Sequence, residues 1–357
     1  MLLRYETELA RNLKDRIRRD GPITFRDFME QALYAPGMGF YAKGPKIGTK
    51  DGTFNTNAMF PAYALALAQA IECAEARLQR RLRIVECGGG TGELGQRILS
   101  YLSDTHDYVV IESSPSLREQ QHALGLRSVA SASLLTPEPT FLFGNEVLDA
   151  LPVHRVMGTG CQTIQEQYVD LDEKGEFLEL YKEPSSPLLS ERMDKEGLTI
   201  GRGHLAEICL ELDSFLAEMA AVVSRGYVIF IDYGDMAKNL YHYSRPNGSL
   251  RCFYQQAQVY DPFNGIGEQD MTADVDFTAV QSAAKEAGLQ WVGQQSQGEW
   301  LQSLRKDVGL PGHSLPSTPQ SHTDIEQLTS PSRLGSAFDV LAFKTAGLPD
   351  PPGFDIQ

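Results

Sequence analysis

The residues that could do chemistry cluster around glycines. Glu86 lies two positions before Gly88, and Gly88, Gly90 and Gly92 follow in the run Arg83-Ile-Val-Glu-Cys-Gly-Gly-Gly-Thr-Gly-Glu93. Glycines there let the backbone bend sharply and let a ligand approach closely. A helix leaving the turn would aim its free N–H groups and positive dipole end at that ligand. Glu112, with Ser113 beside it, stands about 20 residues past the last glycine, where a carboxylate can accept both hydroxyls of a ribose. Gly90-Thr-Gly-Glu-Leu-Gly95 also satisfies the dinucleotide pattern, so a nicotinamide or flavin cofactor stays open. Glu86 argues for something else. A pyrophosphate has no use for a carboxylate beside its turn, whereas the ammonium end of S-adenosylmethionine (SAM) does. The plainer alternative for Glu86 is a strand-end carboxylate.

A second constellation is Asn145-Glu-Val-Leu-Asp-Ala-Leu-Pro152, with His154 close behind, and a third is Asp232-Tyr-Gly234. Methyl transfer is an in-line displacement that requires the nucleophile to be held at near-attack geometry away from water. A guanidinium nucleophile is always charged, so carboxylates must fix it and draw charge onto the nitrogens that do not attack. Glu146 and Asp149, three apart, would share a face if the segment is helical. Asn145 could steer cofactor or substrate, His154 could accept a proton, and Asp232 would place a carboxylate at the mouth. Each also has a structural alternative: a cap for Asn145, acids at a helix start, a packed histidine, a strand-end turn for Asp232. Tyr260-Asp261-Pro262, Asp270, Asp274 and Asp276 read as solvated loop charges.

Elements that could position these residues alternate along the chain. Apolar runs at 84–85, 108–111, 140–145 and 226–231 read as strands, and 94–102 and 115–123 as helices, Pro115 suiting a first turn. The expected product is an α/β fold with a mostly parallel sheet and right-handed crossovers. In such a sheet Glu86, Glu112, Asn145, Glu146 and Asp232 all fall at carboxyl ends of strands, where ligands bind. Upstream, residues 1–33 read as two helices broken at Asp20-Gly-Pro22, the second capped by Thr24. Residues 39–41 read as a short aromatic strand and 43–57 as a flexible or lid-like loop. Downstream come a hairpin over 163–182, a polar excursion at 184–203 and a helix over 205–223. A loop over 235–270, a helix at 277–287, a mobile Ser/Thr/Pro-rich stretch at 308–334 and a last strand at 338–343 complete the reading.

Composition bounds the function. Of 357 residues, 42 % are hydrophobic and 22 % charged, a soluble globular balance. A formal net charge of −15 argues against nucleic acid or an anionic membrane as partner and for a basic protein segment. No apolar run approaches a membrane span of roughly 18 residues. The N-terminus carries Glu6, Glu8 and Asp15, unlike a transit peptide, and reads as a helix of the mature protein. Five cysteines without a C-x-x-C pair suggest neither a disulfide framework nor a metal site, which fits a reducing cytoplasm.

The blocks Phe25-Arg-Asp-Phe-Met-Glu-Gln-Ala-Leu-Tyr-Ala-Pro-Gly-Met-Gly-Phe-Tyr41, Val85–Leu94, Ile111–Gln121, Asn145–Arg155, Ile231–Gly234, Gly248–Arg251 and Thr272–Thr278 resemble the MidA family. Those proteins are SAM-dependent protein arginine methyltransferases whose mitochondrial member assembles respiratory complex I. The matches run in family order from about 21 to 301. The resemblance implies a Rossmann-like class I methyltransferase fold and symmetric dimethylation of an exposed arginine on a partner protein. It implies an extension over 1–60, a core over 61–345 with insertions near 160–204 and 235–275, and a tail over 346–357. It assigns Glu86, Gly88, Gly90, Gly92 and Glu112 to the cofactor and Asn145, Glu146 and Asp149 to the reaction side. This sequence departs from the family at Met59, Gln256 and Asp274, where a glutamate and two histidines are usual. A SAM-binding assembly chaperone is the alternative, and an NAD-dependent dehydrogenase a remoter one.

Overall fold

Runs of β-branched and aromatic residues between glycine and proline breaks build the sheet that carries the glycine turn. The computed structural model describes residues 6–45, 56–160, 163–307 and 319–355. It divides into two units. One comprises 46–148, 213–233 and 281–357, and the other 1–45, 149–212 and 234–280.

The first unit holds a seven-stranded sheet of β1 (Arg83–Cys87), β2 (Tyr108–Ile111), β3 (Arg127–Val129), β4 (Glu138–Asn145), β5 (Val223–Asp232), β6 (Gln290–Ser296) and β7 (Asp339–Lys344). Spatial order is β3-β2-β1-β4-β5-β7-β6. The first five run parallel, and β7 lies antiparallel between β5 and β6. The chain winds one way from β1 to β3 and then the other way through β4 and β5. The crevice at a reversal of this kind is where open α/β sheets bind ligands, and the carboxyl ends of β1 and β4 flank it. Fully buried Phe141, Phe143, Ile84, Val110 and Ile229 pack there with Tyr63 and Leu67 of the helix Pro61–Leu78. Burying each such side chain contributes roughly 1.5–3 kcal/mol. Ser114 caps the helix Pro115–Ala123 as its sequence suggests, accepting from Leu117 N.

The second unit is built on antiparallel strands, ordered 23–24, 163–171, 154–160 and 205–208, with 177–182 also pairing 163–171. The hairpin expected over 163–182 is present, and Thr24 caps the helix Phe25–Tyr34 through Asp27 N. Four expectations need correction. Leu205–Ile208 is a strand bonded to His154–Met157, and the helix spans only Glu211–Ala221. The loop expected over 235–270 contains paired strands at 251–254, 257–259 and 270–272 and a short helix, Ala237–Leu240. Tyr41–Lys43 is a 3₁₀ turn rather than a strand. The excursion at 184–203 contains a helix, Leu188–Glu196.

Much of the expected lid-like loop, at 46–55, lies outside the described residues, as does 308–318. Pro319–Thr329, within the stretch expected to be mobile, is a helix. Among the described residues no helix is long and apolar enough to cross a membrane.

Candidate active site

The turn after β1 works because three of its residues have positive φ: Gly88 at 67°, Gly90 at 51° and Gly92 at 86°. Any side chain there would be strained. Gly92 is the N-cap of the helix Glu93–Tyr101.

Glu86, the penultimate residue of β1, is 3 % exposed and lies under that turn. Tyr108 of β2 donates its hydroxyl to Glu86 Oε2 at 2.8 Å. The third glycine of the dinucleotide-like pattern serves this pair: a Cβ on Gly95 would come within 2.9 Å of both Glu86 Oε2 and the Tyr108 hydroxyl. Burial, together with the charge of Glu112, pushes the Glu86 carboxyl up to about 7 against the Tyr108 bond, which pulls it down.

Glu112, just beyond β2, is 6 % exposed. Its Oε1 accepts from Ser114 N at 2.9 Å, and the backbone N–H groups of Gly90 and Ser113 also point to the carboxylate. Burial outweighs these donors and pushes it up to about 7 as well. Ser113 is exposed, and its carbonyl and that of Glu112 both accept from Arg118 Nη1 at 2.8 Å. Gln121, fully buried on the helix after Glu112, donates Nε2 to Gly90 O at 2.8 Å and so braces the turn from below.

At the end of β4, Asn145 Oδ1 accepts from the Tyr63 hydroxyl at 2.6 Å. Its Nδ2 donates to Glu146 Oε1 at 3.1 Å, and Thr56 donates to that same oxygen. Glu146 has a φ of 51°, an uncommon conformation for a residue with a side chain. Asp232 explains how it is held. Completely buried at the end of β5, Asp232 accepts from Val147 N at 3.1 Å and Leu148 N at 2.9 Å through Oδ2, and from Tyr233 N at 3.0 Å through Oδ1. It anchors the backbone that follows Glu146. Glu86, Glu112, Asn145, Glu146 and Asp232 thus all belong to one unit and one edge of one sheet, as their strand-end positions suggest.

Asp149 and His154 belong to the other unit. Asp149 is buried, and its carbonyl accepts from Ala273 N at 3.0 Å. His154 lies on the strand 154–160 with Nδ1 2.7 Å from Glu166 Oε1, inside a sheet. Burial is the largest influence on Glu166, yet the bonds from His154 and Ser185 carry its carboxyl below the ordinary value.

Of the expected solvated loop charges, Asp270, Asp274 and Asp276 are not solvated, while Tyr260 beside Asp261 is exposed. Asp270 is 2 % exposed. Asp276 is buried and caps its helix through Thr278 N and Ala279 N. Asp274, where the family usually has a histidine, holds Arg245 and Arg251. The sequence reading also missed Tyr63, Thr56, Tyr108 and Gln121. Only Gln121 left a signal, a polar residue four positions from Leu117 on the buried face of its helix.

The residues present fit SAM: a buried acid under the turn for an ammonium group, and a second acid at the β2 end for ribose hydroxyls. A family model described as "Putative S-adenosyl-L-methionine-dependent methyltransferase" matches residues 62–295.

The chain belongs to this family.

The protein is therefore a SAM-dependent methyltransferase, and the nicotinamide and flavin readings fall away. A COG1565 superfamily member from Burkholderia thailandensis, bound to S-adenosyl-homocysteine, is similar in structure. The TM-score is 0.82 at 28 % identity, over 98 % of this chain and 92 % of that one. The native crystal structure of a COG1565 superfamily protein from the same organism gives 0.81 at 29 % identity, with the same coverage. Among curated relatives, the Drosophila melanogaster "Protein arginine methyltransferase NDUFAF7 homolog, mitochondrial" is 25 % identical over 383 aligned positions, covering 94 % of this chain and 84 % of the relative. The Homo sapiens "Protein arginine methyltransferase NDUFAF7, mitochondrial" is 23 % identical over 380, covering 94 % and 83 %. The resemblance to the MidA family holds. The cytoplasmic expectation does not: these relatives, matched over nearly all of this methyltransferase, are named mitochondrial.

Proposed function

We propose that this methyltransferase modifies the guanidinium of an exposed arginine on a partner protein. The observation that carries the reading is the likeness, across 94 % of the chain, to relatives named protein arginine methyltransferases. The carboxylates at the sheet edge suit it, because a guanidinium is recognised by acids. We take the unit with the glycine turn as a Rossmann-like class I methyltransferase core. Its strand order, with a single antiparallel strand inserted between the last two, supports that reading. On this reading residues 1–60 are an extension, and 160–204 and 235–275 are insertions.

When bound, SAM supplies an activated methyl group on a sulfonium. Glu86 would hold its ammonium end and Glu112 its ribose hydroxyls, while Gly88, Gly90, Gly92 and the Ser113 segment leave room for its backbone. Asn145 and Glu146 would orient the substrate nitrogen. Asp232 acts through the backbone, keeping Glu146 in its strained conformation. His154, bonded to Glu166, has a supporting rather than a proton-accepting place in this scheme.

The test is mass spectrometry of arginine-containing peptides from cells with and without this chain. Symmetric dimethylarginine that disappears with the chain is expected. An unchanged methylarginine inventory, with a stable partner still retained, would favour a SAM-binding chaperone and overturn the arginine assignment.

A further inference from the structure

Three blocks of sequence lying far apart come together in the second unit. Tyr34, on the helix Phe25–Tyr34, donates its hydroxyl to Ala150 O at 2.8 Å. Tyr41 donates to Asp270 Oδ1 at 2.9 Å. The two half-buried rings stack, with centroids 5.6 Å apart and planes inclined by 20°. Ala273 N, just past the strand 270–272, bonds Asp149 O and ties the third block to the second.

The arrangement brings two buried carboxylates near each other. Burial first, and the charge of Asp149 second, push the Asp270 carboxyl up to about 7. Among the described residues no basic side chain answers Asp270. Lys43 bonds Gly267 O and Glu268, while Arg245 and Arg251 bond Asp274. An independent pointer is Thr272. It lies two residues along the strand from Asp270, hence on the same face. It is buried, and among the described residues its hydroxyl has no hydrogen-bond partner. A buried hydroxyl without a partner, beside an acid met by Tyr41 and the Met271 amide but by no cation, is a polar cluster that a donor-rich ligand would complete.

We infer that Tyr34, Tyr41, Asp149, Asp270 and Thr272 form the seat for the substrate's guanidinium, an inference that rests on the arginine reading above. The planar cation offers five N–H donors, enough for two carboxylates and a hydroxyl, and its face suits stacked phenol rings. Asp270 then neutralises the substrate together with Asp149 and orients Tyr41.

The probe is N-acetyl-L-arginine amide, titrated by calorimetry into protein saturated with S-adenosylhomocysteine. N-acetyl-L-citrulline amide, of the same shape without the charge, serves as control. The wild type should prefer the arginine compound by tenfold or more, and its affinity should rise between pH 6 and 8 as Asp270 gives up its proton. Asp270→Asn should lose both the preference and the pH dependence while S-adenosylhomocysteine affinity stays within twofold. Tyr41→Phe should weaken arginine binding threefold or more. A wild type with no preference, or an Asp270→Asn variant that keeps it, overturns the seat. The two readings can fail separately. An Asp270→Asn variant that still methylates arginine at the wild-type rate removes the seat and leaves the activity. A wild type that binds the arginine amide yet leaves cellular methylarginine unchanged removes the activity and leaves the seat.

Discussion

Glu86→Gln isolates the charge of the buried acid without changing its shape, because the amide oxygen can still accept from Tyr108. The folded carboxyl titrates near 7, against an ordinary value of 4.5. A group with a raised folded value binds its proton more tightly in the fold. Its contribution is therefore fully present below 4.5, is lost as pH rises through 7, and is level above that. The difference amounts to about 3 kcal/mol. The ligand-free variant should thus be more stable than wild type at pH 8.5, by up to about 3 kcal/mol, and nearly equal to it at pH 4.5. Cofactor binding should move the other way. Losing a charge-assisted hydrogen bond to an ammonium costs about 1.5–3 kcal/mol, roughly 10- to 150-fold in affinity. Urea denaturation at the two pH values and calorimetry with S-adenosylhomocysteine read both arms. Affinity within threefold of wild type, or a stability change that is the same at both pH values, would refute the argument that this acid is kept charged for a ligand.

Gly90→Val forces a β-branched residue to a φ of 51° and should abolish detectable S-adenosylhomocysteine binding in calorimetry; unchanged affinity would remove the turn from the site. Asp149→Asn should keep cofactor affinity within twofold while methyl transfer falls at least about 100-fold, near 3 kcal/mol of transition-state stabilisation; full activity in a radiolabelled-methyl assay dismisses its role. Asp232→Asn presents an N–H₂ to backbone amides that need an acceptor in a fully buried place, and should cost about 2–3 kcal/mol in urea denaturation. A loss below about 0.5 kcal/mol would show that the backbone after Glu146 holds itself.

What could be read from the sequence follows the range of the forces that decide it. Thr24 and Ser114-Pro115 cap helices three residues away, so their signals are local and both hold. The strands carrying Glu86, Glu112 and Asn145 are apolar runs bounded by turns, and burial on both faces of a parallel sheet makes such runs conspicuous. Leu205–Ile208 was different. Its apolar residues join those of the following helix in a helical spacing, and only pairing with His154–Met157, about fifty residues earlier, makes it a strand. Asp270 was the harder case. It sits in a glycine- and acid-rich stretch that reads as solvated, and its hydrogen-bond partner Tyr41 is 229 residues away. No local pattern encodes that burial. The cellular compartment is not written in cysteine spacing either, since scattered cysteines are equally consistent with any reducing interior.

The acids of this chain can be sorted by their donors rather than by their motifs. Asp232 is the most deeply buried of the strand-end acids, yet it is met by three backbone amides, so its charge is spent on the fold. Glu112 receives amides too, from Ser114, Ser113 and Gly90, but they fall short of its burial cost and its carboxyl still rises to about 7. Among the described residues Glu86 has a phenol and Asp270 a phenol and the Met271 amide, and both rise to about 7. An acid buried with too few donors destabilises the fold unless something charged completes it. In a protein of net charge −15, the cheapest completion is a cation brought from outside. On the proposed roles SAM would bring one at its amino-acid end, and an arginine a second. Counting donors at each buried acid therefore separates residues that hold the backbone from those proposed to meet a ligand.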